Sequence, residues 1–296
     1  MLLLKRKTIF TVITICISLL SLNSFSSSEI RIGVLAPRGE LKALTQWSEF
    51  GKYMENKLGQ PVKIVPLAPP DVVKAASNGN VDFVLSHPAH TLALIENHHA
   101  TTIATLNKDS GPQFSGVIIA KSGSGIEKAS DLRGKKVMSL EFNKAAGAYI
   151  FQTYHLKQQG IDVHKDFASL KEGKKQDDLV LAVRAGVIDA AFIRSGLLEA
   201  MEKEGKIKIS DFIIVDKQTT PGFSLLHSTA LYPEWYFSAI SSVAKNMLEK
   251  AKSAVLDLPE NSQAAKKAKI KGFVLPLPLD QMKAALKSLK ISPYNS

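Results

Sequence analysis

Two hydrophobic rhythms take turns along most of this chain, a short period-two or fully apolar run and then a longer stretch with helical spacing. Ile30–Leu35 reads as a buried strand that Ala36-Pro37-Arg38-Gly39 breaks into a turn. Leu41, Leu44, Trp47, Phe50, Met54 and Leu58 then fall on one helical stripe, stopped by Gly59. The alternation continues through strand Val62–Val65, short helix Pro70–Asn78, strand Val81–Leu85, a helix through Ile95, and strands Ala100–Leu106 and Phe114–Ala120. A polar connector, 121–134, leads into a second series: strand Val137–Leu140, helix Ala145–Gln159, helix Asp177–Ala185, strand Asp189–Ile193, helix Gly196–Glu204 and strand Phe212–Asp216. Strand Phe223–His227 and three helices, near Pro233–Leu258, Ser262–Lys269 and Leu279–Leu289, complete the reading. This pattern predicts an α/β fold with two lobes.

The halves echo each other. In Asn78-Gly79-Asn80-Val81-Asp82-Phe83 and in Ala185-Gly186-Val187-Ile188-Asp189-Ala190, a helix ends on glycine and Asp opens a strand. Each copy runs into a polar loop, Ser86–His90 in one and Arg194-Ser195 in the other. Ligands in open α/β sheets sit beyond the carboxyl ends of strands. Four such ends carry candidate contacts: Arg38 with Gly39; Ser86, His87 and His90; Asn143 with Lys144; and Arg194 with Ser195. Parallel strands would bring all four to one inter-lobe crevice. Arg38 and Arg194 can each fork onto an oxyanion, and a helix opening at 143–147 adds N–H donors. Tyr149, one turn into that helix, can face either core or cleft.

Composition narrows the class. The 296 residues carry a formal charge of +11. Met1–Ser28 joins Lys5, Arg6 and Lys7 to an apolar run and a small-residue end, the pattern of a secretory signal, with cleavage after Ser26 or Ser28. An uncleaved membrane anchor is the alternative. Removing the segment lowers the charge by three, to +8. The one cysteine, Cys16, lies inside it, so an exported body would have no thiol chemistry. The remaining lysines are spread over helix faces without interleaved aromatics, which argues against nucleic acid and leaves a positive field suited to small anions. His87 and His90 are suitably close for a metal, but no His-Glu-x-x-His pattern accompanies them and His98-His99 falls at a helix end, so the first two are expected as hydrogen-bond donors in the cleft. No Gly-x-Ser-x-Gly elbow or phosphate loop is present. No cofactor or catalytic residue is expected.

Ile30–Gly39 with Trp47, the Gly-x-Val-Asp-Phe strand with Pro88-Ala89-His90, Asp131-Leu132-Arg133-Gly134-Lys135 and Gly186–Ala190 together resemble the phosphate/phosphonate-type (PhnD-like) periplasmic binding proteins. Within that superfamily, Leu35–Gly39, Phe192–Glu199, His227-Ser228-Thr229-Ala230-Leu231-Tyr232-Pro233-Glu234-Trp235 and Leu289–Tyr294 resemble the periplasmic sensor domain of tetrathionate-sensing histidine kinases. The resemblance implies a type II binding-protein fold with hinge crossings near Gly116–Lys121 and Val215–Phe223. It implies lobes of 29–117 plus 221–296 and of 118–220, and closure around an oxyanion. Asn143–Tyr149 stands where phosphonate binders carry a hydroxyl-rich cradle, and Gln176-Asp177 where they carry His-Asp.

The expectation is therefore a periplasmic, monomeric solute-binding protein without enzymatic activity. It would take a small oxyanion, phosphate- or phosphonate-like or a sulfur oxyanion such as tetrathionate, through contacts at Arg38, Gly39, Ser86, His87, His90, Lys144, Tyr149, Gln176, Asp177 and Arg194. Its membrane partner would be an ABC-type permease or, alternatively, a separate sensor kinase. With no kinase domain before Ser296, the chain is not expected to phosphorylate anything.

Overall fold

The computed structural model describes residues 29–295, so the signal segment read at 1–28 lies outside the described residues. In chain order the elements are β1 (Ile30–Leu35), α1 (Glu40–Leu58), β2 (Val62–Leu67), α2 (Val72–Ser77), β3 (Phe83–Ser86), α3 (Pro88–His98), β4 (Thr101–Asn107), β5 (Gln113–Phe114) and β6 (Gly116–Lys121). There follow β7 (Lys136–Ser139), α4 (Ile150–Gln158), β8 (Ser169–Glu172), α5 (Gln176–Arg184), β9 (Ala190–Arg194), α6 (Leu197–Lys203) and β10 (Phe212–Val215). The last are β11 (Tyr232–Pro233), β12 (Tyr236–Ala239), α7 (Lys245–Leu256), α8 (Gln263–Ala268), β13 (Gly272–Val274) and α9 (Asp280–Leu289). None of the described helices is long and apolar enough to cross a membrane.

Two large sheets form, one per lobe, and a third of two antiparallel strands, β11-β5, joins the crossings between them. The first runs β13-β4-β12-β3-β1-β2 and the second β10-β6-β9-β7-β8. Within them β1 is parallel to β2 and β3, and β7 is parallel to β8 and β9. The carboxyl ends of β1, β3, β7 and β9 are thereby gathered at the gap between the lobes. The α1 stripe supplies the first core: Trp47, Phe50 and Met54 are buried, and Phe50 meets Trp47 and Phe237 edge-on. These apolar faces explain why the helix forms where the spacing predicts it.

The chain passes between the two large sheets twice, at 108–115 and at 216–235. The first passage lies upstream of the expected Gly116–Lys121, which is instead β6, with Gly116 paired to Arg194. The two passages are laced together. Ser115 Oγ donates to the Thr229 carbonyl at 2.8 Å, Gly116 N–H donates to Thr229 Oγ1 at 3.0 Å and Ile118 N–H to Ser228 Oγ at 2.9 Å. Ser195 and Ser115 exchange a further pair of bonds. The His227-Ser228-Thr229 stretch thus owes its residue types to the buried hydrogen bonds of the hinge. The C-terminal α9 packs on both α3 and α4, with Lys283 paired to Glu96 at 3.0 Å and Lys157 donating to the Ser288 carbonyl.

Several elements differ from the pattern-based reading. Phe223–His227 is an irregular segment with one bridge, Thr220 to Phe223, because its polar groups serve the hinge. The helix expected from Pro233 begins only at Lys245; Tyr236–Ala239 is a strand inserted antiparallel between β3 and β4 and buried on both faces, so it shows no alternation. The helix expected from Ala145 is interrupted at Tyr149 (φ −162°), and a short 3₁₀ turn, Ala146–Ala148, precedes α4. Strands β8, a half-exposed edge with Lys171 and Glu172, and β13, three residues long, carry no apolar pattern.

Replacing Thr229 by Val removes the acceptor for the buried Gly116 N–H while keeping the shape. It should destabilise the protein by about 1–3 kcal/mol, read as a lowered midpoint in urea unfolding with an unchanged slope.

Candidate functional site

The gathered strand ends enclose a cavity of about 40 Å³. Leu35 and Pro37 come from the end of β1, His87 from β3, Leu140 and Ala145–Ala148 from beyond β7, Gln176 from the start of α5, Arg194 from β9, and Phe114 and Trp235 from the two passages. The wall at 145–148 approaches closely because residue 147 is glycine. A Cβ there would stand 2.8 Å from the Phe114 ring and 3.2 Å from Arg194 Cβ.

Beside this cavity lies a buried ionic triad. Glu234, 1% exposed, accepts from Lys108 Nζ at 2.8 Å and from Arg194 Nη2 at 3.0 Å. Burial works to raise the Glu234 pKa, but Lys108 and Arg194 outweigh it and hold the carboxyl below its ordinary range. Burial, with Arg194 adding to it, pushes Lys108 down to about 8 against the opposing pull of Glu234. With two cations and one carboxylate, the triad carries a net positive charge at neutral pH. Arg194 lies over the Phe114 ring at 5.3 Å and Lys108 over Trp235 at 5.8 Å.

His87 and His90 are held neutral. His87 caps α3, its Nδ1 accepting the His90 backbone N–H at 3.4 Å, and the two rings stack at 3.8 Å. Burial lowers His87 to about 4, and burial together with His87 and Lys144 lowers His90 well below its ordinary value. With Nδ1 accepting, the single ring proton of His87 sits on Nε2. That atom and Arg194 Nε are buried and have no hydrogen-bond partner among the described residues; Ser86 Oγ and His90 Nδ1 are likewise unpartnered. Unpartnered buried donors are costly and uncommon in folded proteins. A guanidinium N–H from one lobe and an imidazole N–H from the other, both on residues that line the cavity, suit an anion.

The other expected contacts lie elsewhere. Gln176 does line the cavity, and its Oε1 accepts the Arg194 backbone N–H at 2.9 Å. Arg38 lines not the cavity but an outer groove, which it shares with Lys108 and Arg194. Its guanidinium forks onto Asp177, at 3.0 and 2.5 Å, and reaches Glu204 at 3.2 and 3.3 Å. Gly39 (φ 99°) lines the same groove, of about 520 Å³, beside it. Lys144 is drawn outward by Glu141, 2.6 Å away on the same turn. Tyr149 points away from the cavity because the break in its helix turns its hydroxyl to His164 Nε2 at 2.8 Å. Lys108, Phe114, Glu234 and Trp235 were absent from the expected set. Only the strong Tyr-Pro-Glu-Trp resemblance pointed towards the last two.

A model of the family described as ABC transporter, phosphonate, periplasmic substrate-binding protein matches residues 32–280. The chain belongs to that family. Its fold is accordingly shared with PhnD1 from Prochlorococcus marinus (MIT 9301), solved with methylphosphonate (TM-score 0.74, 16% identity, 88% of this chain and 98% of that one). A binding protein component of an ABC phosphonate transporter from Pseudomonas aeruginosa is similar too (TM-score 0.71, 15% identity, 84% and 82%). In sequence, the chain is 32% identical over 234 residues to the tetrathionate sensor histidine kinase TtrS of Salmonella typhimurium. That match covers 77% of this chain but only 39% of the kinase. The family is periplasmic and built for substrate binding, in keeping with the type II two-lobed fold.

Glu234→Gln leaves two cations with no buried countercharge. It should cost several kcal/mol of stability, about 3–5 by comparison with other broken buried pairs, whereas Glu141→Gln, at the exposed Lys144 pair, should change the melting temperature little. Thermal unfolding of both variants checks this contrast.

Proposed function

We propose that this protein captures a small oxyanion, phosphate- or phosphonate-like or a sulfur oxyanion such as tetrathionate, in the inter-lobe cavity and presents it to an ABC-type permease. The observation that carries this reading is the pair of buried, unpartnered donors, Arg194 Nε–H and His87 Nε2–H, beside a triad of net positive charge. An anion placed between them would satisfy both groups and offset the buried charge. Arg194 and His87 are the direct contacts in this proposal, with Gln176 and Ser86 holding the neighbouring polar positions. Lys108 supplies charge from behind, and Glu234 orients both cations. The hydroxyl-poor wall at Ala145–Ala148 leaves recognition to a few donors and to shape, which favours a compact anion with few protons of its own. Binding without turnover is the activity we read in this arrangement, with His87 serving as a donor.

A second reading, ligand sensing with a separate histidine kinase, draws support from the 32% identity to TtrS. Both readings begin with the same capture step and predict a monomeric, periplasmic protein. Co-purification with a permease or with a kinase separates them.

Thermal-shift measurements with phosphate, methylphosphonate, sulfate, thiosulfate and tetrathionate test the capture step. At least one of these anions should raise the melting temperature with saturation, and Arg194→Met and His87→Ala should abolish that rise. A flat response to all of them would refute anion capture. For the anion that binds, calorimetric affinity should weaken as pH rises through about 8, where Lys108 gives up its proton. Below that pH the charge is in place, and affinity for an anion that does not itself titrate there, such as sulfate or tetrathionate, should be steady down to the range in which His87 titrates, about 4.

A further inference from the structure

Arg38 stands on the turn after β1 in the first lobe, and both of its partners stand in the second. Asp177 is in the first turn of α5 and Glu204 immediately follows α6. The contact is a two-pronged fork onto Asp177 with two longer bonds to Glu204, and the side chains of Arg38, Asp177 and Glu204 are only 25%, 18% and 34% exposed. Lys206 bridges the same carboxylates, 3.3 Å from Asp177 and 2.7 Å from Glu204. Two carboxylates and one lysine leave the second lobe's side of the mouth one negative charge in excess, and Arg38 neutralises it. Burial opposes ionisation of Asp177, but Arg38 and Lys206 overcome it; Lys206 and Arg38 draw Glu204 down to about 2. The cluster is thus fully ionised at neutral pH. Four of the five guanidinium N–H groups are engaged in this fork, with one on Nη1 left over, and the cavity within measures about 40 Å³.

We propose that Arg38 is a closure residue and not a ligand contact: clamped on Asp177 and Glu204, it holds the lobes shut over the Arg194 cavity before any ligand is bound. The resting population then lies towards the closed form, and a ligand is admitted when the clamp opens. Bidentate, half-buried pairs of this kind are the ion pairs that contribute, whereas exposed single contacts contribute little. The proposal takes the lobes to move about the laced hinge. It takes from the proposed function only that the cavity is where ligand sits.

The test requires no ligand. Cys16 is replaced by serine, and a spin label is placed on each lip at exposed positions, by Leu41→Cys in the first lobe and Lys203→Cys in the second. Dipolar distance measurements on the ligand-free protein should give one short, narrow distribution. Arg38→Ala, and independently Asp177→Asn with Glu204→Gln, should shift it to longer, broader distances, and Arg38→Lys should give an intermediate result. Molar sodium chloride should produce part of the same shift. The carboxylate variants keep the test decisive if Arg38→Ala fails to fold, with circular dichroism as the check. An unchanged distribution in folded clamp variants overturns the proposal, as does a long distance in the parent. The two proposals fail separately. If no anion in the screen binds, the ligand-free distances still decide the clamp. If Arg38 were a ligand contact, Arg38→Ala would abolish anion-induced stabilisation without moving the ligand-free distance.

Discussion

The buried carboxylate of Glu234 is the constraint on which the rest depends. A charge with 1% exposure survives only if opposite charges and hydrogen bonds replace water. Lys108 and Arg194 do this, and they come from different parts of the chain: one from the first passage between lobes, the other from the end of a strand in the second sheet. Because one carboxylate cannot neutralise two cations, satisfying Glu234 leaves positive charge beside an enclosed space. The protein's internal electrostatics and its candidate binding site are the same residues seen from two sides.

Around that triad the fold supplies position. Parallel strands in each sheet bring β1, β3, β7 and β9 to the same gap. The Ser115, Ser228 and Thr229 hydroxyls bind the passages to each other with short buried bonds. Such a junction holds the local backbone rigid while leaving the lobes free to rotate about it, the arrangement that hinge motion requires. Phe114 and Trp235, one on each passage, line the cavity directly, so hinge and pocket share residues.

Much of this was legible in the chain. The two rhythms place the sheets and the α1 core, and the strand ends single out His87 and Arg194, both of which reach the cavity. What escaped has physical causes. Strand β12 is buried on both faces and so lacks alternation, and a short apolar run of that kind can be read as helix. Arg38 carries the right chemistry at a strand end, but its partners lie 139 and 166 positions away, and no local pattern marks Asp177 or Glu204 as theirs. Lys144 and Tyr149 sit in the expected segment; the break at Tyr149 and the neighbouring Glu141 decide where they point. Glu234 was hidden for the opposite reason. A carboxylate next to tryptophan reads as a surface residue until the two cations that bury it are brought in by the tertiary fold.

The C-terminal helix α9 touches α3 of one lobe and α4 of the other. A molecule with only two strands of backbone between its halves could twist as well as open. A helix seated across both halves acts as an axle: α3 and α4 must turn along its surface to move apart, which disfavours twist and limits travel. A helix bridging both halves thereby favours opening over twisting.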